Sequence, residues 1–295
     1  MTPPPPSTLV IPTRDRPELL RACVASILQG HVVPDELVIV DQSERPGASL
    51  DADDPRCRIR HLFSGGRGLA RAKNAGLDAA AHEIVAYTDD DMFAGPAWYG
   101  ALVGALVAAG PRTVVTGRVL ATRAERPGAF APSVVVRTDS AVYAGRIGTD
   151  VLAGGNMALT KATTREVGRF DERLGAGSRF PAAEDNDFGL RLLEAGYRIV
   201  YAADAVLYHR AWRPAADYWR VRWSYGRGKG GFYGKHASLR DPYVLRRMLR
   251  DVGWRMLRFP WHVLRHPRHA SGDPFYVGGV VAGLVDWRFG RAGAG

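Results

Sequence analysis

Three aspartates in succession, Asp89, Asp90 and Asp91, follow a short apolar run in VAYTDDDMF. Adjacent carboxylates repel, so the cluster calls for a cation. Two or three carboxylates held close suit a hard divalent ion, and Mg²⁺ or Mn²⁺ bound by one or two of them commonly completes its shell with diphosphate oxygens. Two further polar groups stand in the same kind of place. Thr13 and Arg14 follow the apolar TLVIP, and Asp41 closes ELVIVD. Taken alone, an aspartate cluster after an apolar run also fits a turn that caps the next helix.

The elements that would position these groups are legible from periodicity. Residues 8–12 make a short apolar strand, followed by TRDRPELL, where Asp15 stands three residues before Glu18 and Pro17 falls near the first helical position. Leu20, Cys23, Val24, Ile27 and Leu28 keep helical spacing, and Gly30 ends that helix. ELVIVD (36–41) is a second buried-type strand. SGGRG (64–68) turns into the helix LARAKNAGLDAAA, and EIVAYT (83–88) is a third strand. Strand and helix alternating at these lengths predict βαβ units and a parallel sheet. Ligands bind such sheets beyond the carboxyl ends of the strands, which is where Arg14, Asp41 and Asp89–Asp91 all fall. Chance has no reason to put charge at the same end of each strand.

Further along, 113–120, 133–136 and 198–208 are expected strands, and AEDNDFGLRLLEAG (183–196) an expected helix closed by Gly196. YGRGKGGFYGK (225–235), rich in Gly, Lys and Arg, is expected to be a mobile loop, a candidate lid over a diphosphate. The next stretch predicts an amphipathic basic helix, with apolar residues at 245, 248, 249, 252, 256 and 259 and Arg247, Arg250 and Arg258 on the other side.

Composition bounds the alternatives. The net charge of +10 over 295 residues is concentrated between Arg210 and Arg268, where fifteen Lys and Arg face three Asp. That segment is expected to lie on an anionic membrane surface. A solvated helical cap is the plainer reading, and no nucleic-acid motif accompanies the charge. Cys23 and Cys57 make no disulfide framework and suit a reducing cytosol. No run reaches the roughly 18–20 apolar residues that span a bilayer, and the proline-rich start has no signal-peptide pattern. The expected location is the cytoplasm or the cytoplasmic face of the inner membrane.

The series VIPTRDRPELL, ELVIVDQS, GLARAKNAG, VAYTDDD, AGGNMAL, GRFDERLG, AAEDNDFGLRLLEAGYRIVY and AVLYH resembles family 2 glycosyltransferases, in the family's order, over roughly residues 7–210. The resemblance implies a GT-A fold, a Rossmann-like mixed α/β sheet flanked by helices, and inverting transfer from a UDP-, GDP- or dTDP-linked sugar to a hydroxyl of a glycan, a lipid-linked glycan or another acceptor. It implies that Pro12, Thr13 and Arg14 cradle the base and ribose, that Asp41 bonds the base, and that Arg71 and Asn74 line the same pocket. Asp89 and Asp91 take the places of the DxD carboxylates, the first toward the ribose and metal, the second on the metal. Asp90 is counted with the nucleotide side, although alternation along an extended chain points it away from its neighbours. Gly154, Gly155, Asn156 and Glu184 fall on the acceptor side. Asp185 is the implied base, and its place near a helix start favours the ionised carboxylate. His209, 24 residues later, is the implied third metal ligand, beside Mn²⁺ or Mg²⁺.

The expected organisation is a disordered lead at 1–7, a GT-A domain at 8–210 and a basic helical extension at 211–295. Two rivals remain open at this point. A sugar-phosphate nucleotidyltransferase uses a similar sheet, but its Gly-rich, lysine-containing loop after the first strand is absent from PTRDRP. A non-catalytic nucleotide- or glycan-binding relative would have no need of Asp89, Asp91, Asp185 and His209 together.

Overall fold

A computed structural model describes residues 4–44, 54–124, 127–210, 212–265 and 270–290. Its first strand, β1 (Ser7–Thr13), is wholly buried, so order begins within the expected lead, of which residues 1–3 lie outside the described residues. α1 (Pro17–Leu28) starts with proline in its first turn, as read from the sequence. The expected Asp15 cap does not form. Asp15 has φ +53°, and its carboxylate accepts from the Glu44 N–H instead.

β2 (Glu36–Asp41), β3 (Arg58–Phe63), α2 (Leu69–Ala79) and β4 (Ile84–Thr88) complete a parallel unit in the order β3-β2-β1-β4. Thr13 pairs in register with Asp41, and Val10 with Tyr87. The chain leaves β1 in one direction for β2 and returns on its other side as β4. That reversal opens a crevice at the carboxyl ends of β1 and β4.

The rest of the sheet is mixed. β5 (Met92–Ala94), α3 (Trp98–Ala109), β6 (Thr113–Ala121), β7 (Ala141–Tyr143), β8 (Asn156–Thr160), α4 (Lys161–Val167), α5 (Glu184–Glu194) and β9 (Arg198–His209) follow. The sheet continues β4-β8-β6-β9-β5, with β8 antiparallel to both neighbours and β7 paired to β9. The stretch 133–136 is not a strand. Only Val135 bridges, to Val119.

Alternation along β1 splits the core. Leu9 and Ile11 pack with Leu20, Val24, Ile27 and Leu102 on the α1/α3 face, and Val10 packs with Val38, Leu77, Phe188 and Leu192 on the α2/α5 face. Each such side chain contributes about 1.5–3 kcal/mol by leaving water. A sheet covered on both faces is the rigid platform the strand-end residues require.

Among the described residues the C-terminal part has three α-helices, α6 (Tyr218–His236), α7 (Tyr243–Arg265) and α8 (Gly272–Phe289), after a 3-10 turn at Ala215–Asp217. The expected mobile loop at 225–235 is therefore the body of α6, and it is no lid. Its glycines serve close packing. A Cβ on Gly226 would lie 2.1 Å from the Tyr276 carbonyl oxygen, and one on Gly230 2.2 Å from that of Val280. From the other side, a Cβ on Gly283 would lie 2.1 Å from the Arg227 carbonyl. Glycines four apart form a flat stripe, so the two backbones touch.

α7 is amphipathic, but only part of it faces as expected, with Arg250 outward. Arg247 is buried against Asp150, while Leu249, Trp254, Leu257, Trp261 and Leu264 are 59–80% exposed. Of the expected inward apolar residues, Met248 and Val252 pack inward, but Leu249 and Met256 do not. Asp150 and Asp273, off the helix, draw Arg247 and Arg255 in. No helix among the described residues is long and apolar enough to cross a membrane.

Candidate active site

A cavity of about 820 Å³ opens at the β1/β4 crevice and extends under α6–α8. Its acidic corner is built by a turn in which the Met92 N–H donates to the Asp89 carbonyl at 3.2 Å. Because Asp90 and Asp91 occupy that turn, strand alternation does not separate them, and all three aspartates line the cavity. Asp90 accepts from the Thr13 hydroxyl at 2.7 Å. Arg16 donates to both Asp90 and Asp91 at 3.2 Å and relieves their mutual repulsion. Burial pushes Asp90 up to about 6, against the pull of Arg16 and Thr13.

His209 ends β9 directly opposite Met92. Its Nε2 lies 3.2 Å from the Asp91 carboxylate. Although burial opposes ionisation of both, the contact holds Asp91 below its usual value and His209 above its own. The donor chemistry suits a divalent cation. A carboxylate and an imidazole adjoin, and the neighbouring buried Asp89 Oδ1 has no hydrogen-bond partner. Among the described residues no three His, Cys, Asp or Glu side chains converge as a cage. The protein therefore offers a partial ligand set of the kind that substrate oxygens complete.

Asp185 faces the same cavity from the first turn of α5. Gly154 N–H donates to its Oδ2 at 3.3 Å, and the Asn186 N–H to its Oδ1 at 2.8 Å. The expected lowering by the helix start is overridden. Burial, then the charge of Glu184, push Asp185 up to about 7, only partly offset by Lys73 and the Gly154 N–H. Ala183, just before this turn, is held at φ +75°, a conformation costly for a residue with a Cβ. Lys73 lies beneath, fully buried, with Nζ 3.3 Å from Glu184. Burial disfavours its charge, but Glu184, Asp89 and Asp185 outweigh that and keep it protonated.

Gly154 and Gly155 line the cavity, and their lack of a Cβ leaves room for the charged side chains packed against them. A Cβ on Gly155 would lie 2.2 Å from Asp89 Oδ2, and one on Gly154 2.7 Å from Lys73 Nζ. Asn156 does not reach the cavity. Its side chain is buried, accepting from Trp98 Nε1 and donating to the Arg118 and Ala205 carbonyls. Three expected nucleotide contacts are also engaged elsewhere. Asn74 clamps the backbone of Phe170 through both its amide atoms, Arg71 pairs with Glu172 on the surface, and Asp41 accepts from the Ser43 N–H. The described cavity wall includes Gln42 but not Asp41, while Pro12, Thr13, Arg14 and Glu184 line it.

Sequence reasoning missed Arg16, Lys73 and, in the cationic wall, Arg213, Arg222 and Arg255, while Lys229 fell within the expected lid. Lys73 had a signal, since it follows Ala70 by three and precedes Leu77 by four on the buried side of α2. Arg213, Arg222 and Arg255 had none, because they come from the segment before α6, from α6 and from α7.

A mixed α/β sheet of this topology, with an acidic turn at the crevice and a carboxylate facing it, defines a glycosyltransferase of the GT-A class. The chain belongs to glycosyl transferase family 2, whose sequence profile matches residues 8–160. The profile of glycosyl transferase family group 2 matches 114–277. The pre-mycofactocin glycosyltransferase of Mycobacterium tuberculosis is 28% identical over 246 residues, 81% of this chain and 50% of that protein. The chain thus spans about half that relative's length. The glucosyl-dolichyl phosphate glucuronosyltransferase of Haloferax volcanii is 26% identical over 225 residues, 72% of each. Among solved structures, the mannosyltransferase PcManGT of Pyrobaculum calidifontis, in complex with GDP-Man and Mn²⁺, matches with a TM-score of 0.65 at 16% identity, covering 97% of this chain and 88% of that one.

Proposed function

We propose that the chain transfers a sugar from a nucleotide diphosphate donor to an acceptor hydroxyl, inverting the anomeric carbon, with Asp185 as general base. The observation that carries this reading is one carboxylate, pushed up to about 7, facing the same cavity as the Asp89–Asp91 corner. A base poised near the working pH is matched to abstracting an alcohol proton in the transition state. As the acceptor oxygen attacks, its proton passes to Asp185 and the new carbon–oxygen bond forms. The bond from the anomeric carbon to the diphosphate breaks, and its electron pair leaves on the nucleoside diphosphate.

Asp91 and His209, with Asp89 beside them, would hold Mn²⁺ or Mg²⁺, which when bound neutralises charge on the departing diphosphate. Arg213, also in the cavity wall, is placed to add to that electrostatic help. Pro12, Thr13, Arg14 and Gln42 form the rim on which the nucleoside would rest. The outward apolar face of α7, flanked by exposed Arg246, Arg250 and Arg265, supports docking on an anionic bilayer, the cytoplasmic leaflet in this reading.

The test is Asp185→Asn. The expected result is a fall in kcat of about 10²–10⁴ with nucleotide affinity within about twofold of the parent. Equal loss of turnover and nucleotide binding would assign Asp185 a structural role.

A further inference from the structure

The cavity is electrically two-sided. The strand-end side carries Asp15, Asp89, Asp90, Asp91, Glu184 and Asp185 against Arg14 and Arg16. The helical side carries Arg222, Lys229 and Arg255 against the single carboxylate of Asp150, while Arg213, before α6, acts on Asp91 and His209. Asp150 is already taken, by Lys229 at 2.5 Å and Arg247 at 2.7 Å.

Behind that wall two carboxylates serve three guanidiniums. Asp273 accepts from Arg255 at 3.2 Å and from Arg222 at 3.5 Å, and Arg258 approaches it to 3.6 Å. His262 takes its other oxygen at 3.2 Å. Asp251 is held by Arg255 Nε at 3.0 Å and by the Tyr276 hydroxyl at 2.8 Å. Positive charge is left over, and it borders the cavity. Arg222 Nε is buried with no hydrogen-bond partner. Burial and the adjacent Arg255 also hold the Arg222 pKa below its ordinary value. Both guanidiniums lie over the Tyr276 ring, at 4.9 and 4.0 Å from its centroid, which restrains their movement.

We propose that Arg222 and Arg255 form a subsite for an oxyanion on the acceptor, a phosphate group borne by an amphiphile. The inference rests on the transferase reading of the cavity. A restrained pair of guanidiniums matches the several acceptor oxygens of a phosphate, where ammonium groups would not. The donor diphosphate belongs at the opposite, Asp91/His209 side. The helix that supplies Arg255 carries Trp254, Leu257 and Trp261 exposed on its outer side, so an apolar surface for such a tail and the subsite for its charge belong to one helix.

Citronellyl phosphate, citronellol, citronellic acid and inorganic phosphate are titrated calorimetrically into the wild type and into Arg222→Gln, Arg222→Lys and Arg255→Gln, without nucleotide. The wild type should bind citronellyl phosphate about tenfold or more tighter than citronellol. Arg222→Gln should remove that preference while leaving affinity for GDP or UDP with Mn²⁺ unchanged. Arg222→Lys, which keeps the charge but loses the fork, should weaken phosphate binding at least about threefold, and it stands in should the glutamine variant not fold. Unchanged phosphate affinity in a folded Arg222 variant would overturn the subsite. Citronellic acid binding as tightly as the phosphate would overturn the phosphate assignment in favour of a carboxylate. Because the titration needs no donor, failure of the transferase reading shows separately, as wild-type protein that binds no nucleoside diphosphate.

Discussion

At neutral pH Asp185 stands near the midpoint of its own titration, because burial and Glu184 oppose its charge more strongly than Lys73 and the Gly154 N–H support it. A base works only when deprotonated. The acid limb of kcat/KM should therefore fall as pH drops through about 7. Lys73→Met removes a buried positive charge that favours the carboxylate, so the same limb should move to higher pH. A limb unmoved in the folded variant would show that Lys73 does not tune Asp185. The carboxylates themselves were legible, because Asp41 and Asp89–Asp91 fall at the same end of successive strands, where a parallel sheet binds ligands. Their environment was not. Asn74 was expected at the nucleotide and instead clamps Phe170, since a sequence reveals an amide but not the backbone it meets.

Glycine is where the elements depart most from the sequence reading. In α6 the missing Cβ permits contact with α8, whereas conformational freedom was the expected reason. Gly226→Ala would force a methyl to 2.1 Å from the Tyr276 carbonyl and should cost about 1–3 kcal/mol or more, seen as a lowered Tm. Gly253 on α7 faces open space, so Gly253→Ala should instead raise stability by about 0.5–1 kcal/mol. Similar effects at both positions would contradict the close packing of α6 on α8. The outward apolar residues of α7 make their own prediction. Replacing Trp254, Leu257 and Trp261 together by serine should abolish co-sedimentation with phosphatidylglycerol vesicles and leave the melting temperature nearly unchanged. Retained vesicle binding would remove the apolar face as the cause. Periodicity predicted that the helix is amphipathic, but which side faces the protein depends on Asp150, Asp251 and Asp273, which lie off the segment or across its turns.

Across the molecule, one topological feature brings the separate stretches together. Reversal of strand order at β1 and β4 sets Thr13 against Asp90, and β9 then carries His209 to Asp91. The ordered motifs along residues 7–210 made this half readable, since each βα unit places its chemistry at the same edge. The cationic half depends on contacts among α6, α7 and α8, more than 40 residues apart in places, and no local pattern encodes it. A cavity negative at one wall and positive at the other suits a reaction that brings an acceptor proton to a carboxylate while an anionic group is held opposite. The decisive measurement is phosphorus NMR of the mixture when GDP-, UDP- and dTDP-sugars are each incubated, with Mn²⁺, with citronellyl phosphate and with octyl glucoside as acceptors. Nucleoside diphosphate should appear in step with glycosylated acceptor for the wild type and not for Asp185→Asn. Release of pyrophosphate, or equal turnover by both proteins, would contradict sugar transfer with Asp185 as its base.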